Sequence, residues 1–126
     1  MCDDLAVPAT VLVVDDHASF RRFARKLLEA AGLTVVGEAD DGASALAAAE
    51  ELRPDVVLLD VLLPDTTGFE VARELATWPV RPLVVLTSSR SAADLGGLAG
   101  RDGADGFIPK SELTVAALAA LVGEAA

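Results

Sequence analysis

The chain has 126 residues, of which 52% are hydrophobic and only 4% aromatic, and its formal net charge is -10. This length fits one domain with a full core, which must be built from Val, Leu and Ala because aromatic residues are few. The acidic balance argues against direct nucleic-acid binding, since affinity for phosphate backbones comes from Lys and Arg. We expect a single domain over residues 1–126, with 1–9 as a flexible N-terminal tail.

The start of the chain and its cysteine content bear on the compartment. The first ten residues carry neither the basic segment nor the apolar run of a secretory signal. No apolar run approaches the roughly 20 residues that span a bilayer. The one cysteine, Cys2, cannot form an internal disulfide, which is consistent with a reducing compartment. We therefore expect a cytoplasmic protein that does not contact the membrane.

Short apolar runs alternate along the chain with stretches of helical periodicity. In chain order, the predicted elements are strand 10–14, helix 20–31, strand 34–39, helix 43–52, strand 56–59, helix 69–76, strand 83–86, helix 92–100, strand 107–108 and helix 113–122. Gly32 is expected to cap the first helix, and Pro54 lies just beyond the second. Such alternation of strand and helix indicates an α/β domain with a parallel sheet and helices on both faces.

Four basic residues are clustered in the first predicted helix, and they are Arg21, Arg22, Arg25 and Lys26. One interpretation is an ordinary solvated helix face. The other is a surface that meets an acidic partner.

Polar side chains follow four of the predicted strands. Asp15 and Asp16 follow the first strand, Asp60 the third, Thr87 the fourth and Lys110 the fifth. The carboxyl ends of parallel strands lie at one edge of the sheet, where ligands bind. Each residue also has a plainer interpretation, because an Asp after a strand is often the N-cap of the next helix. An adjacent acidic pair is harder to explain without a cation, so the four strand ends together favour a site.

The residue types at this edge suggest a chemistry. Carboxylate oxygens suit Mg²⁺, whereas a zinc site is not indicated because there is no Cys/His cluster and His17 is the only histidine. A carboxylate such as Asp60 can act as a nucleophile and form an aspartyl phosphate, with Thr87 and Lys110 as donors to the phosphoryl oxygens. The absence of GxxxxGK[ST] and GxGxxG motifs excludes P-loop and dinucleotide-binding sites.

Four segments resemble the receiver domain of two-component response regulators over essentially the whole chain. They are VLVVDDH, VVLLDVLLPDTTGFEVARELA, LVVLTSS and GADGFIPKS. Pro64 and Gly68 stand at the expected spacing after Asp60, and Phe107 stands three residues before Lys110. The first and last segments are most similar to receivers of helix-turn-helix regulators. The resemblance implies a flavodoxin-like (βα)5 fold with strand order 2-1-3-4-5, either as a stand-alone receiver or as part of a longer regulator.

The resemblance also implies the acceptor chemistry. Asp60 would accept a phosphoryl group from a histidine of a kinase or a phosphotransfer protein. Mg²⁺, or Mn²⁺, would be held directly by Asp16, by Asp15 through a water molecule, and by Asp60 and the backbone carbonyl of Leu62. No organic cofactor is expected. The protein would catalyse only its own phosphorylation and dephosphorylation, so it is not expected to be an enzyme that acts on a separate metabolite.

A conformational switch is implied as well. Lys110 would contact a phosphoryl oxygen, while Thr87 and Phe107 would move inward. The movement would alter a surface made of the fourth helix, the fifth strand and the fifth helix. A downstream protein target is expected at this surface, and a homodimer through the fourth helix is left open.

Several departures from the family pattern affect these expectations, among them those at Leu62 and Phe107. Leu62 is apolar at a position that, with Ser89, flanks the path of the attacking water in this family, so we expect slow autodephosphorylation. Phe107 replaces the commoner Tyr and has no hydroxyl to offer a partner.

Glycines 96, 97 and 100 weaken the predicted fourth helix, since an interior Gly costs about 1 kcal/mol. That helix would then be short or mobile at rest, unless packing overrides propensity.

Two alternative functions compete with the phosphorylation-dependent switch. One is an interaction module with a receiver fold that works without phosphorylation, although no acid and no lysine of the pattern is missing here. The other is a Mg²⁺-dependent phosphohydrolase of a different family. The second is disfavoured because Leu62 stands where such an enzyme would carry a second Asp.

Overall fold

The computed structural model describes residues 9–89 and 104–125. The strands are β1 (Thr10–Val14), β2 (Thr34–Ala39), β3 (Val56–Asp60), β4 (Leu83–Ser88) and β5 (Gly106–Pro109), and the helices are α1 (Ala18–Ala30), α2 (Gly42–Leu52), α3 (Gly68–Leu75) and α4 (Val115–Ala125). Helix α4 is therefore the fifth helix of the sequence prediction. The predicted fourth helix, 92–100, lies outside the described residues, as does most of the expected tail.

The five strands form one parallel sheet in the order β2-β1-β3-β4-β5, which confirms the predicted fold class. β3 lies at the centre, and all five of its residues are buried, as expected for a strand covered on both faces. None of the described helices has the length and apolar character needed to cross a bilayer.

The core has two layers because side chains alternate between the faces of the sheet. One layer includes Leu12 and Val14 of β1 and packs under α2 and α3. The other includes Val11 and Val13 and packs under α1 and α4. Val11 and Val13 lie on the face of the sheet that is covered by α1, and the same alternation places Asp15 on this face. The first acid of the site therefore lies at the end of this second layer.

Helix α1 ends as predicted, at a glycine. Gly32 has φ +89°, and its N–H donates to the Glu29 carbonyl at 3.0 Å. The Leu33 N–H donates to the Leu28 carbonyl, also at 3.0 Å. This pair of bonds is a Schellman motif, which needs a left-handed residue at the position of Gly32.

Several predicted boundaries were wrong by one or two residues. β3 and β4 continue to Asp60 and Ser88, so Asp60 and Thr87 belong to strands instead of following them. The last helix begins later than predicted, because the Thr114 hydroxyl accepts from the Ala117 N–H at 3.0 Å and so caps it. Leu113, predicted to be helical, is extended and buried before that cap.

Candidate functional site

Three carboxylates meet at the carboxyl edge of the sheet, as the strand ends predict. Asp15 is fully buried, Asp60 is 5% exposed and Asp16 is exposed. The His17 imidazole joins them, and one ligand atom from each of the four residues lies within 4.8 Å of the others. Sequence reasoning missed His17, although its position directly after the acidic pair was a signal.

Asp15 is held by three backbone contacts. Its N–H donates to the Ala39 carbonyl of β2 at 3.0 Å, and its own carbonyl accepts from the Arg21 guanidinium at 2.7 Å. Its carboxylate Oδ1 accepts from the His17 N–H at 2.8 Å. These bonds fix the acid between two strands and the start of α1.

Neither of the first two acids caps α1. The N-cap is His17, and its side chain makes no capping hydrogen bond. Asp60 does not cap α3 either, because the N-cap there is Thr67, whose side chain accepts from the Glu70 N–H. The capping interpretation of these aspartates was therefore wrong.

The loop after Asp60 is built around a close backbone approach. The Val61 N–H donates to the Thr87 carbonyl at 2.9 Å, and the Gly68 N–H donates to the Val61 carbonyl at 2.6 Å. A Cβ on Gly68 would lie 2.4 Å from the Asp60 carbonyl oxygen. Only glycine allows α3 to begin this close to the end of β3.

The same loop is tied to the start of α2. The Asp65 carboxylate accepts from the Gly42 N–H at 2.8 Å and from the Ala43 N–H at 3.1 Å. These two bonds lower the pKa of Asp65, with the Gly42 contact contributing most. Asp65 thus accepts hydrogen bonds from two amides at the N-terminus of α2, which would otherwise have no partner within the helix. These bonds anchor the loop that follows Asp60.

Lys110 reaches the acids from the end of β5. Its Nζ lies 2.6 Å from Asp15 Oδ2 and 3.6 Å from Asp60 Oδ2. The ammonium also lies 4.3 Å from the centroid of the Phe20 ring, a cation–π contact that sequence reasoning missed. Asp15 Oδ2 makes no hydrogen bond to any described residue, so its contact with Lys110 is an ion pair without hydrogen-bond geometry.

Thr87 lies on β4 directly opposite Asp60 of β3. It is fully buried, and its Oγ1 has no hydrogen-bond partner among the residues that the structure describes. A buried hydroxyl without a partner costs about 1–3 kcal/mol. Such a group is typical of a site where a ligand completes the hydrogen bonding.

Asp60 has an altered acidity. Burial, followed by repulsion from Asp15, raises the pKa of Asp60 from 3.8 to about 6, and Asp16 adds to the increase. Lys110 and the Leu62 amide act in the opposite direction but do not cancel it. Crowded carboxylates of this kind are stabilised by a bound cation, so the donor set fits a divalent metal with oxygen ligands.

The remaining predicted residues lie around this cluster. The Leu62 side chain is 54% exposed beside Asp60. Phe107 is half-buried on β5. It pairs with Leu86 of the neighbouring strand β4, and Thr87 is the next residue of that strand.

The basic cluster on α1 is divided between two environments. Arg21 and Arg25 both bind Glu38 of β2, each at 2.9 Å, whereas Arg22 and Lys26 are exposed. Half of the cluster therefore ties α1 to the sheet, which neither of the two sequence interpretations predicted.

Comparison with known proteins gives a consistent assignment. The family described as "Response regulator receiver domain" matches residues 11–122. The transcriptional regulatory protein PdtaR of Mycobacterium tuberculosis is 36% identical over 135 aligned residues, covering 98% of this chain and 66% of PdtaR. A Pseudomonas aeruginosa protein that carries the name "Putative transcriptional regulator" is 39% identical over 117 residues, covering 90% of this chain and 56% of that protein. The chain thus spans less than two thirds of the length of these relatives.

A solved structure shows the same fold. The signal receiver domain that carries the name NarL, from M. tuberculosis, has a TM-score of 0.81 and 35% identity, with 94% of this chain and 99% of that chain covered.

These matches connect the site to a known kind of protein. Receiver domains of response regulators are phosphorylated by histidine kinases, bind Mg²⁺ at an acidic pocket and are generally not catalysts beyond their own phosphorylation. The acidic cluster of this chain has the composition that such a pocket requires. The family match over residues 11–122, together with the relatives, shows that the chain belongs to the response regulator receiver domain family.

Proposed function

We propose that this chain is a phosphorylation-dependent switch of a two-component phosphorelay, with Asp60 as the residue that accepts the phosphoryl group. The observation that carries the proposal is the set of groups around Asp60. A buried carboxylate at the end of the central strand has an ammonium 3.6 Å away and an unpartnered buried hydroxyl on the neighbouring strand. A negatively charged phosphoryl group would use both.

The donor is a phosphohistidine of a histidine kinase or of a histidine phosphotransfer protein. The Asp60 carboxylate attacks phosphorus, so an O–P bond forms and the P–N bond breaks. The imidazole leaves with the electron pair of that bond and takes up a proton. Lys110 and Thr87 donate to the phosphoryl oxygens, where negative charge is concentrated during the transfer.

The proposed metal ligands are the carboxylates of Asp15, Asp16 and Asp60 and the backbone carbonyl of Leu62. These residues would hold Mg²⁺ or Mn²⁺, both of which prefer oxygen donors. When bound, the ion supplies positive charge that offsets the charge of the phosphoryl oxygens. Repulsion between Asp15 and Asp60, which raises the pKa of Asp60, supports a cation at this place.

The proposed switch links Thr87 to Phe107. When the Thr87 hydroxyl donates a hydrogen bond to the phosphoryl group, the Thr87 side chain moves toward Asp60. The half-buried Phe107 ring follows the Thr87 side chain inward. The responding surface comprises β5, α4 and the predicted helix 92–100, which lies outside the described residues. We propose that this surface binds a protein target and does not contact nucleic acid. We also propose that residues 1–126 form a single receiver domain and that this domain is cytoplasmic. A homodimer through the same surface is compatible with the proposal.

The test is phosphorylation by a small-molecule donor, phosphoramidate, in the presence of Mg²⁺. Intact-mass spectrometry should show one added phosphoryl group, and the group should be absent from Asp60→Asn and present in the control Glu112→Gln, which removes an exposed acid near Lys110. Beryllofluoride with Mg²⁺ should change the amide NMR shifts of β5 and α4. A chain that binds Mg²⁺ but is neither phosphorylated nor altered by beryllofluoride would instead be an interaction module, which no observation at present favours.

A further inference from the structure

We propose that the His17 imidazole is an additional, nitrogen ligand of the metal pocket, and that it makes the pocket prefer first-row transition ions such as Co²⁺ or Ni²⁺ over Mg²⁺. This inference rests on the proposed function, because it assumes that Asp15, Asp16 and Asp60 hold an ion. It goes further in assigning a fourth side chain and a preference between metals.

The distances match those between neighbouring ligands of one ion. His17 Nδ1 lies 3.0 Å from Asp16 Oδ1 and 3.1 Å from Asp15 Oδ1. Ligands bonded at about 2.1 Å from an ion with octahedral geometry lie about 3 Å apart at adjacent positions. The imidazole nitrogen is thus already spaced from each of the two carboxylate oxygens as adjacent ligands of one ion are.

The His17 side chain is also available for this role. It makes no capping hydrogen bond, although His17 is the N-cap residue of α1. The side chain is 67% exposed, so an ion arriving from solvent meets it at the mouth of the pocket. Asp15 Oδ1 is oriented toward it by the bond from the His17 N–H, which keeps the two side chains together.

The metal preference follows from ligand type. Mg²⁺ favours oxygen donors, whereas imidazole suits Ni²⁺, Cu²⁺, Zn²⁺ and other transition ions. A hydrogen bond from an imidazole Nδ1–H to Asp15, with Asp16 close to the same nitrogen, would account for the same distances in the metal-free protein. In that case the nitrogen would not bond to the ion, so spectroscopy of the metal-loaded protein separates the two arrangements.

The experiment is pulsed electron paramagnetic resonance of Mn²⁺ bound to the full chain. His17 is the only histidine of the 126 residues, so any imidazole nitrogen coupled to the ion must come from it. We expect imidazole ¹⁴N modulation in the wild type, its loss in His17→Asn, and its retention in the control Ser19→Ala, another exposed residue of α1.

Calorimetric titrations supply an independent measurement. His17→Asn should weaken Ni²⁺ binding about tenfold or more while changing Mg²⁺ binding by less than about threefold. Mn²⁺ that binds with no nitrogen coupling, together with an unchanged Ni²⁺ affinity in His17→Asn, would overturn the inference and leave the proposed metal site intact. Failure of the wild type to bind either Mn²⁺ or Mg²⁺ would overturn the metal site of the proposed function itself.

Discussion

The carboxyl group of Asp60 is buried beside Asp15, and its pKa is about 6 instead of 3.8. Folding therefore disfavours the ionised form of this side chain. The resulting destabilisation is absent below pH 3.8, grows as the pH rises toward 6, and is complete above that value. At neutral pH, the ionised Asp60 carboxylate therefore destabilises the metal-free protein. Such a destabilising side chain is typical of a functional site.

Asp60→Asn should therefore stabilise the metal-free protein. In the presence of EDTA at pH 7.5, we expect a gain of about 3 kcal/mol in the free energy of unfolding, because the pKa rises from 3.8 to about 6 and each pKa unit corresponds to about 1.4 kcal/mol. The gain should shrink to near zero at pH 4. Urea denaturation at the two pH values measures it, and a gain that does not depend on pH would contradict the assignment of the raised pKa to Asp60.

Leu62 provides a second prediction at the scale of one residue. Its side chain is 54% exposed beside Asp60 and has no group that can orient an attacking water. Leu62→Asn should shorten the lifetime of the phosphorylated protein by about tenfold, since an amide can hold that water by hydrogen bonding. Leu62→Ala is the matched control, because it opens the same space without a polar group. Equal lifetimes in wild type and Leu62→Asn, measured by loss of the phosphoryl mass, would refute the explanation.

Individual site residues differed in how well the sequence revealed them. Asp60, Thr87 and Lys110 were identified because strand direction alone brings strand ends to one edge. His17 and Phe20 depend on the rotation of α1 about its axis and on side-chain rotamers, which no strand pattern encodes. Both appear only when the helix is placed against the sheet.

At the scale of elements, the start of α3 controls the position of the acceptor candidate. Gly68→Ala would place a Cβ 2.4 Å from the Asp60 carbonyl oxygen and 3.0 Å from Val61 Cα. Because both contacts are with backbone, the strand end must shift. We expect a loss of at least about 2 kcal/mol in unfolding free energy and weaker Mg²⁺ binding.

Gly32→Ala is the matched control for that substitution. Gly32 has φ +89° but nothing within 4 Å of the added Cβ, so only backbone strain is introduced. A cost of about 1 kcal/mol is expected, without any change in Mg²⁺ affinity. If the two variants affected Mg²⁺ binding equally, the contact with the Asp60 carbonyl would not be what positions the site.

Element boundaries show where sequence patterns lose information. Gly32 identified the end of α1 because a left-handed position has a strong residue preference. The end of β3 was missed because Asp60 is buried inside a strand, a place where composition favours apolar residues. The start of α4 was missed because Leu113 continues the apolar pattern while lying in an extended segment.

At the scale of the whole molecule, binding of the proposed ion should be coupled to stability, because the acidic cluster joins the ends of β1 and β3 and the start of α1. An ion that binds only the folded chain adds about 2.7 kcal/mol at a concentration one hundred times its dissociation constant. Mg²⁺ should raise the thermal midpoint of the wild type, and Asp16→Asn should remove most of that increase. Asp40→Asn, which removes another exposed acid, should keep it. If Mg²⁺ left the thermal midpoint of the wild type unchanged, the proposed metal site would be contradicted.

The position of Lys110 has one more consequence. Its ammonium lies within 4 Å of Asp15 and Asp60 and rests on the Phe20 ring. The chain thus carries its own tethered counterion beside two of the carboxylates that would hold the proposed ion. Part of their charge is offset before any ion arrives, so substitution of Lys110 by a neutral residue would leave the acids more dependent on that ion for their neutralisation.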